Sequence, residues 1–163
     1  MPQRHAILAT QRAAQNHMMM IERRRLILSL AGLVTLPAAA RAHSYTHGNI
    51  AIGHAWALPG EGEGKAFFPM INTGKEADEL VSAHSSVCTR IEFRRNGNYD
   101  DPPLTSFVLE PGRPVAMRPM ARHLRLMDLK APLMLDQRFT ITLGFRHAGE
   151  IDVEFHAEHA PGD

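Results

Sequence analysis

What most constrains this chain is a series of short apolar segments, each closed off by Gly, Pro, Asn or Ser. From residue 49 onward they span 49–56, 65–72, 78–84, 87–94, 105–109, 114–117, 123–129, 139–145 and 150–155. Leu58-Pro59-Gly60-Glu61-Gly62-Glu63-Gly64, Asn72-Thr73-Gly74-Lys75, Glu110-Pro111-Gly112 and His147-Ala148-Gly149 are loops and turns between them. A longer turn-rich stretch runs from Asn96 to Pro103. No segment sustains a long helical period. Segments of four to eight residues with turn residues between them predict strands, and so many predict an antiparallel sandwich or barrel. Pro69, inside a strand-like run, marks an edge or a bulge, because it lacks the N–H that a ladder needs.

Residues 1–42 read differently. Arg23-Arg24-Arg25 is followed by an uncharged apolar run over 26–40 and then by Ala40-Arg41-Ala42. Basic cluster, apolar run and small-x-small site make up a secretory signal peptide. The apolar run is short for a membrane span, and no other run is longer. Arg24-Arg25-Leu26-Ile27-Leu28 is also similar to a twin-arginine signal, so Sec and Tat export both remain open. Met18, Met19 or Met20 reads as a better start, with the preceding residues a mis-called extension. The expected mature domain is 43–163. Six of the 18 basic residues and one of the 17 acidic ones lie upstream, which leaves 12 and 16 and a net charge of −4 with His neutral. Such a balance excludes a nucleic-acid partner. One cysteine, Cys88, excludes an internal disulfide and is expected to be a buried strand residue.

Two stretches carry coordinating chemistry. Met117, Met120, His123 and Met127 put three thioethers and an imidazole within eleven residues, a soft set suited to copper and above all to Cu(I). The bland alternative is that the Met residues fill a core and that the His is a hydrogen-bonded structural residue. Strand periodicity puts His123, Arg125 and Met127 on one face, with Leu124 and Leu126 on the other. Signal cleavage makes His43 the first residue, so that its amine and ring, with His47 and helped by His54, offer a nitrogen-rich set for Cu(II); the alternative is a frayed polar terminus. His147, His156 and His159 form a polar tail or further ligands. Catalytic signatures are missing: no Gly-x-Ser-x-Gly, phosphate loop or His-Glu-x-x-His occurs, so no enzyme is expected. Asp100-Asp101 reads as a solvated turn, and Glu150, Asp152 and Glu154 as a solvated strand face.

Over nearly its whole mature length the chain resembles the PCuAC-type periplasmic copper chaperones. The matching residues are 43–56, the 67–72 strand with Gly74, Asp78-Glu79-Leu80-Val81, Arg90-Ile91-Glu92 and Leu109-Glu110-Pro111-Gly112. The most specific match is His123-Leu124-x-Leu126-Met127-x-Leu129-Lys130-x-Pro132-Leu133. The resemblance implies a cupredoxin-like Greek-key β-sandwich in the periplasm. It also implies delivery of Cu(I) to a copper-accepting protein such as a cytochrome c oxidase subunit, with no reaction catalysed.

The chain departs from that family at the ligands. The family's set is a His and a Met in the first half and a His-x-Met pair in the second. His123 matches the second His, but Arg125 stands at the Met two residues on and Arg94 at the first His. The loop expected to hold the first Met, 98–103, contains none. Two readings follow: a copper site rebuilt either on His123 with Met120, Met127 or Met117, or separately on the amino-terminal His43 and His47 helped by His54 or by His156 and His159; and a metal-free adaptor in which Arg94, Arg122 and Arg125 form a partner-binding patch.

Overall fold

The computed structural model describes residues 44–160, so the expected signal segment and His43 lie outside the described residues. Eleven strands are formed: β1 (Tyr45–His47), β2 (Ile50–Ile52), β3 (Trp56–Leu58), β4 (Gly64–Phe67), β5 (Met70–Asn72), β6 (Asp78–His84), β7 (Cys88–Arg94), β8 (Phe107–Leu109), β9 (His123–Leu129), β10 (Arg138–Phe145) and β11 (Gly149–Ala157). They make a three-stranded sheet, β1-β2-β5, and an eight-stranded one, β7-β9-β4-β3-β11-β10-β6-β8. The fold is the expected all-β sandwich. Every strand pair is antiparallel except β11 with β3, the mark of a crossover. The long sheet curls, so that β7 and β8 at its two ends meet through the Phe93 and Phe107 rings, 5.2 Å apart.

Two expected strands are broken, and at one place. The 49–56 run divides into β2 and β3, and the 65–72 run into β4 and β5. β2 pairs with β5 in the small sheet and β3 with β4 in the large one. The break falls where Gly53 meets Pro69: the Gly53 amide donates to the Pro69 carbonyl at 2.9 Å. A Cβ on Gly53 would lie 2.7 Å from Pro69 Cγ, so only glycine passes there. The pair of chains thus turns a corner from one sheet into the other, as strands do when they change sheets in a sandwich. The 114–117 run is no strand; Val115 alone bridges Met70. In the opposite direction, Tyr45–His47 is a strand rather than a frayed end, paired with β2 and tied by a hydrogen bond from the Glu154 amide to the Tyr45 hydroxyl.

The core lies between the sheets. Phe67, Phe68, Leu80, Leu124, Leu126, Ile141, Leu143, Val153 and Phe155 are wholly buried, and Cys88 is buried as expected. Asp78 ties the β10–β11 hairpin to β6. Its carboxylate accepts from the amides of Glu79, His147 and Ala148 at 2.7, 2.9 and 3.0 Å. Burial alone pushes its pKa up, but these amides outweigh that and hold it below the usual value.

Candidate functional site

β7 and β9 run antiparallel with Arg94 opposite His123, Glu92 opposite Arg125 and Arg90 opposite Met127; Lys65 of β4 lies on the other side of Arg125. Opposed residues share a face. One face of this ribbon therefore carries Lys65, Arg90, Glu92, Arg94, His123, Arg125 and Met127, while Leu124 and Leu126 enter the core. His123 is fully buried. Its Nδ1 lies 2.8 Å from the Ala121 carbonyl, and its Nε2 lies 3.2 Å from the Tyr99 hydroxyl. A carbonyl only accepts, so Nδ1 carries the proton and Nε2 presents its lone pair to the donating phenol. Burial lowers the His123 pKa; the Ala121 bond raises it, and nearby Lys65, Arg94 and Arg125 lower it further. The ring is neutral at neutral pH.

Arg94 is 2% exposed. It donates to the carbonyls of Asn98 and Asp101, both at 2.8 Å, and lies 3.6 Å from Glu92. These bonds clasp the loop after β7. Within that loop Asn96 and Asn98 donate their side-chain amides to Asp101. Its anchored form carries Tyr99 over the strand face, with the ring centroid 3.9 Å from Arg125, 5.1 Å from Arg94 and 5.5 Å from Lys65, spacings at which cations are attracted to an aromatic face. Arg125 also makes a bidentate pair with Glu63 and lies 3.7 Å from Glu92. The site is thus one neutral imidazole with an outward lone pair, a phenol capping it, three cations and two carboxylates.

Three of the four ligand positions implied by the resemblance are filled by other chemistry. A guanidinium stands at the first and at the last, and neither can coordinate a cation. Tyr99 comes from the loop that lacks the Met. Of the other candidates, Met120 sits on the turn before β9 with φ 66° and is 72% exposed. Its thioether lies against Gly97, in the same loop as Tyr99. Met127 lies four residues along β9 from His123, about 13 Å away at strand rise, so the two cannot share an ion. Met117 is buried in the core. His47 is in β1, with its Nε2 toward the Gly149 turn. His54 lies in the link before β3, bonded to Glu158 at 2.6 Å; β1, β2 and the link spread His47 and His54 along the chain rather than closing them on one point. As the side chains stand, no three His, Cys, Asp or Glu residues converge among the described residues. Nor is there an open patch of Arg94, Arg122 and Arg125: two of the three are occupied within the fold, and only Arg122 is exposed. Sequence reasoning missed Tyr99, Glu63 and Glu92. The alternating charges of Arg90-x-Glu92-x-Arg94 and of His123-x-Arg125 are a signal, but without the register their partners are not readable.

The family model described as "Putative lipoprotein LpqE-like" matches residues 50–157. The protein "Putative lipoprotein Lxx21020" of Leifsonia xyli subsp. xyli (strain CTCB07) is 31% identical over 127 residues, covering 74% of this chain and 76% of that protein. Among solved structures, the apo PmoF2 PCuAC domain is 25% identical with a TM-score of 0.64, covering 74% of this chain and 98% of the domain. The copper-bound PCuAC domain from PmoF2 is 26% identical with the same score of 0.64, covering 73% and 99%. The Cu(I) form of DR1885 from Deinococcus radiodurans shares the fold at 18% identity and a TM-score of 0.54, covering 74% and 83%. With its sandwich, its 50–157 match and its relative at 31% identity, this chain belongs to the LpqE-like, PCuAC-type family.

Proposed function

We propose that this chain is an exported copper-handling protein of the chaperone type, with His123 as the retained ligand of a rebuilt site. The observation that carries the reading is the His123 ring. Its Nδ1–H is fixed by the Ala121 carbonyl, the arrangement that sets the tautomer of a metal-binding imidazole and aims the other nitrogen. That other nitrogen meets only a side-chain hydroxyl, on a surface loop. The copper-bound state of a PmoF2 PCuAC domain and the lipoprotein name of the Leifsonia relative support copper as cargo and export as the route. Cys88, buried in β7, is not an acylation site.

In this reading Tyr99 gives way to the ion, and Met120 adds a thioether from across the same loop. His with one or two Met is a soft set that suits Cu(I). Three nearby cations weaken binding and Glu63 and Glu92 offset them, so the ion is held loosely enough to be passed to a copper-accepting protein. The family resemblance suggests the copper centre of a cytochrome c oxidase subunit as that acceptor. Copper is cargo here, and no reaction is catalysed. Competition of the protein with a Cu(I) chelator tests the reading: His123→Ala is expected to weaken Cu(I) binding at least tenfold and Met120→Leu several-fold. Unchanged affinity in His123→Ala would leave the site elsewhere.

A second reading is favoured by Arg94. Its guanidinium already ties the loop that a metal ligand would otherwise anchor, so the fold needs no ion to order it. On that reading the protein is a metal-free adaptor. A purified protein that takes up no Cu(I) while keeping its fold selects it.

A further inference from the structure

On the parallel β3–β11 pair, away from the ribbon that carries His123, a second set of imidazoles and carboxylates comes together from three parts of the chain. His54 belongs to the link between β2 and β3, His156 and Glu158 to the end of β11, and Asp136 to the turn before β10. The backbone holds all three parts in place. His156 is the register partner of Trp56. The amide of Glu158 donates to Ala57 at 2.9 Å, and that of Asp136 to Ala157 at 2.8 Å.

Glu158 stands between the two rings: its Oε1 is 2.6 Å from His54 Nε2, and its Oε2 is 3.7 Å from His156 Nδ1. The second separation is too long for a hydrogen bond. It is close to the roughly 3.3 Å that separates two ligands held at about 2.0–2.1 Å on one tetrahedral ion. Behind the ring, His156 Nε2 faces Asp136 Oδ1 at 3.6 Å. That gap too is longer than a hydrogen bond, so Asp136 adds negative charge near the ring without a bond that fixes it. Among the described residues neither Glu158 nor Asp136 pairs with Lys or Arg, so two negative charges remain for a cation. All four side chains reach solvent.

We infer that His54, His156 and Glu158 form a second metal site, for a divalent ion of the zinc or Cu(II) class, with Asp136 adding negative charge beside it. As the side chains stand the donors do not yet converge. Rotation of the His54 ring off Glu158 brings its Nε2 to the ion, which replaces the proton shared between them. Nitrogen and carboxylate donors suit borderline divalent ions rather than Cu(I), so the site is chemically distinct from that of His123 and stands or falls independently of it.

Zinc titration of the full chain by calorimetry tests this, with thermal unfolding as a second readout. Wild type is expected to bind Zn²⁺ at one site and to gain thermal stability as Zn²⁺ is added, since an ion that binds only the folded chain stabilises it. His54→Ala and His156→Ala should each weaken binding at least tenfold, their double variant should lose the thermal shift, and Asp136→Asn, which removes only a nearby charge, should weaken binding less than either. His123→Ala should bind zinc as wild type does. The inference is overturned if wild type takes up no zinc, if the His54/His156 double variant binds it undiminished, or if His123→Ala abolishes it.

Discussion

The His123 site and the His54–Glu158–His156 cluster are built from the same ring and stand in opposite surroundings. His123 is wholly buried, neutral and ringed by Lys65, Arg94 and Arg125. His54 and His156 keep 44% and 35% of their side-chain surface and face carboxylates. Inside, the chain has satisfied every polar group with its own donors: no buried side-chain nitrogen or oxygen among the described residues lacks a partner. Outside, water can do that work, so donors are free to stay loosely arranged. The lesson is that burial decides what a missing ligand costs. At the buried site the carbonyls of Asn98 and Asp101 need a donor, and Arg94 supplies it; at the surface nothing forces completion.

The largest effect should come from cutting the buried clasp. Arg94→Met leaves the carbonyls of Asn98 and Asp101 without their donor, while Glu92 keeps Arg90 and Arg125, and urea unfolding should show a loss of about 3 kcal/mol. A loss below about 1 kcal/mol would mean that the clasp is no stronger than a surface pair. Next comes conversion toward the family's ligand set. Arg94→His combined with Arg125→Met removes two charges and adds two donors, and Cu(I) affinity should rise at least tenfold. No gain would show that the loop no longer closes around an ion. Tyr99→Phe removes the cap on Nε2. It should cost about 1 kcal/mol of stability and raise Cu(I) affinity several-fold; a phenol that serves only to pack against Arg125 would leave the affinity alone.

The pH dependence separates the two regions again. The His123 pKa is depressed below its ordinary 6.5, so the unfolded chain binds its proton first. Its contribution is therefore fully present above about 6.5 and is lost as pH falls from there through the lowered folded value. Asp78 acts the same way at lower pH: its stabilisation is present above the ordinary 3.8 and is lost as pH falls through its lowered value. Denaturation curves between pH 7 and 3 should show the upper loss vanish in His123→Gln and persist in His54→Ala. The smallest effect belongs to the exposed pair. Glu158→Gln should change stability by less than about 1 kcal/mol, and a larger loss would mean that the cluster supports the fold as Arg94 does.

Much of the fold was legible because strand alternation and turn residues are local signals. The expected alternation of His123, Arg125 and Met127 against Leu124 and Leu126 is what β9 shows. The 49–56 and 65–72 runs look like single strands in the sequence because their common break depends on Gly53 meeting Pro69, sixteen residues away, and the two come together only in the folded chain. The site was half legible. His123 and the two Arg residues stand out by type and position. Tyr99 does not, because a Tyr in a loop of Asn, Gly and Asp has no pattern until Arg94 fixes that loop. The pairing of Glu63 and Glu92 with Arg125 likewise needs the β4–β9–β7 register. Met127 was a reasonable ligand by spacing along the sequence and an unreasonable one at strand rise.

The atom on which the account rests is His123 Nε2. Nitrogen-15 NMR of the histidine rings during a Cu(I) titration reads it directly. Nε2 of His123 should shift and Nδ1 keep its proton as copper is added, while the hydrogen bond from the Tyr99 hydroxyl breaks in step. A His123 ring that stays unchanged while copper binds, with His47 or His54 shifting in its place, would contradict it.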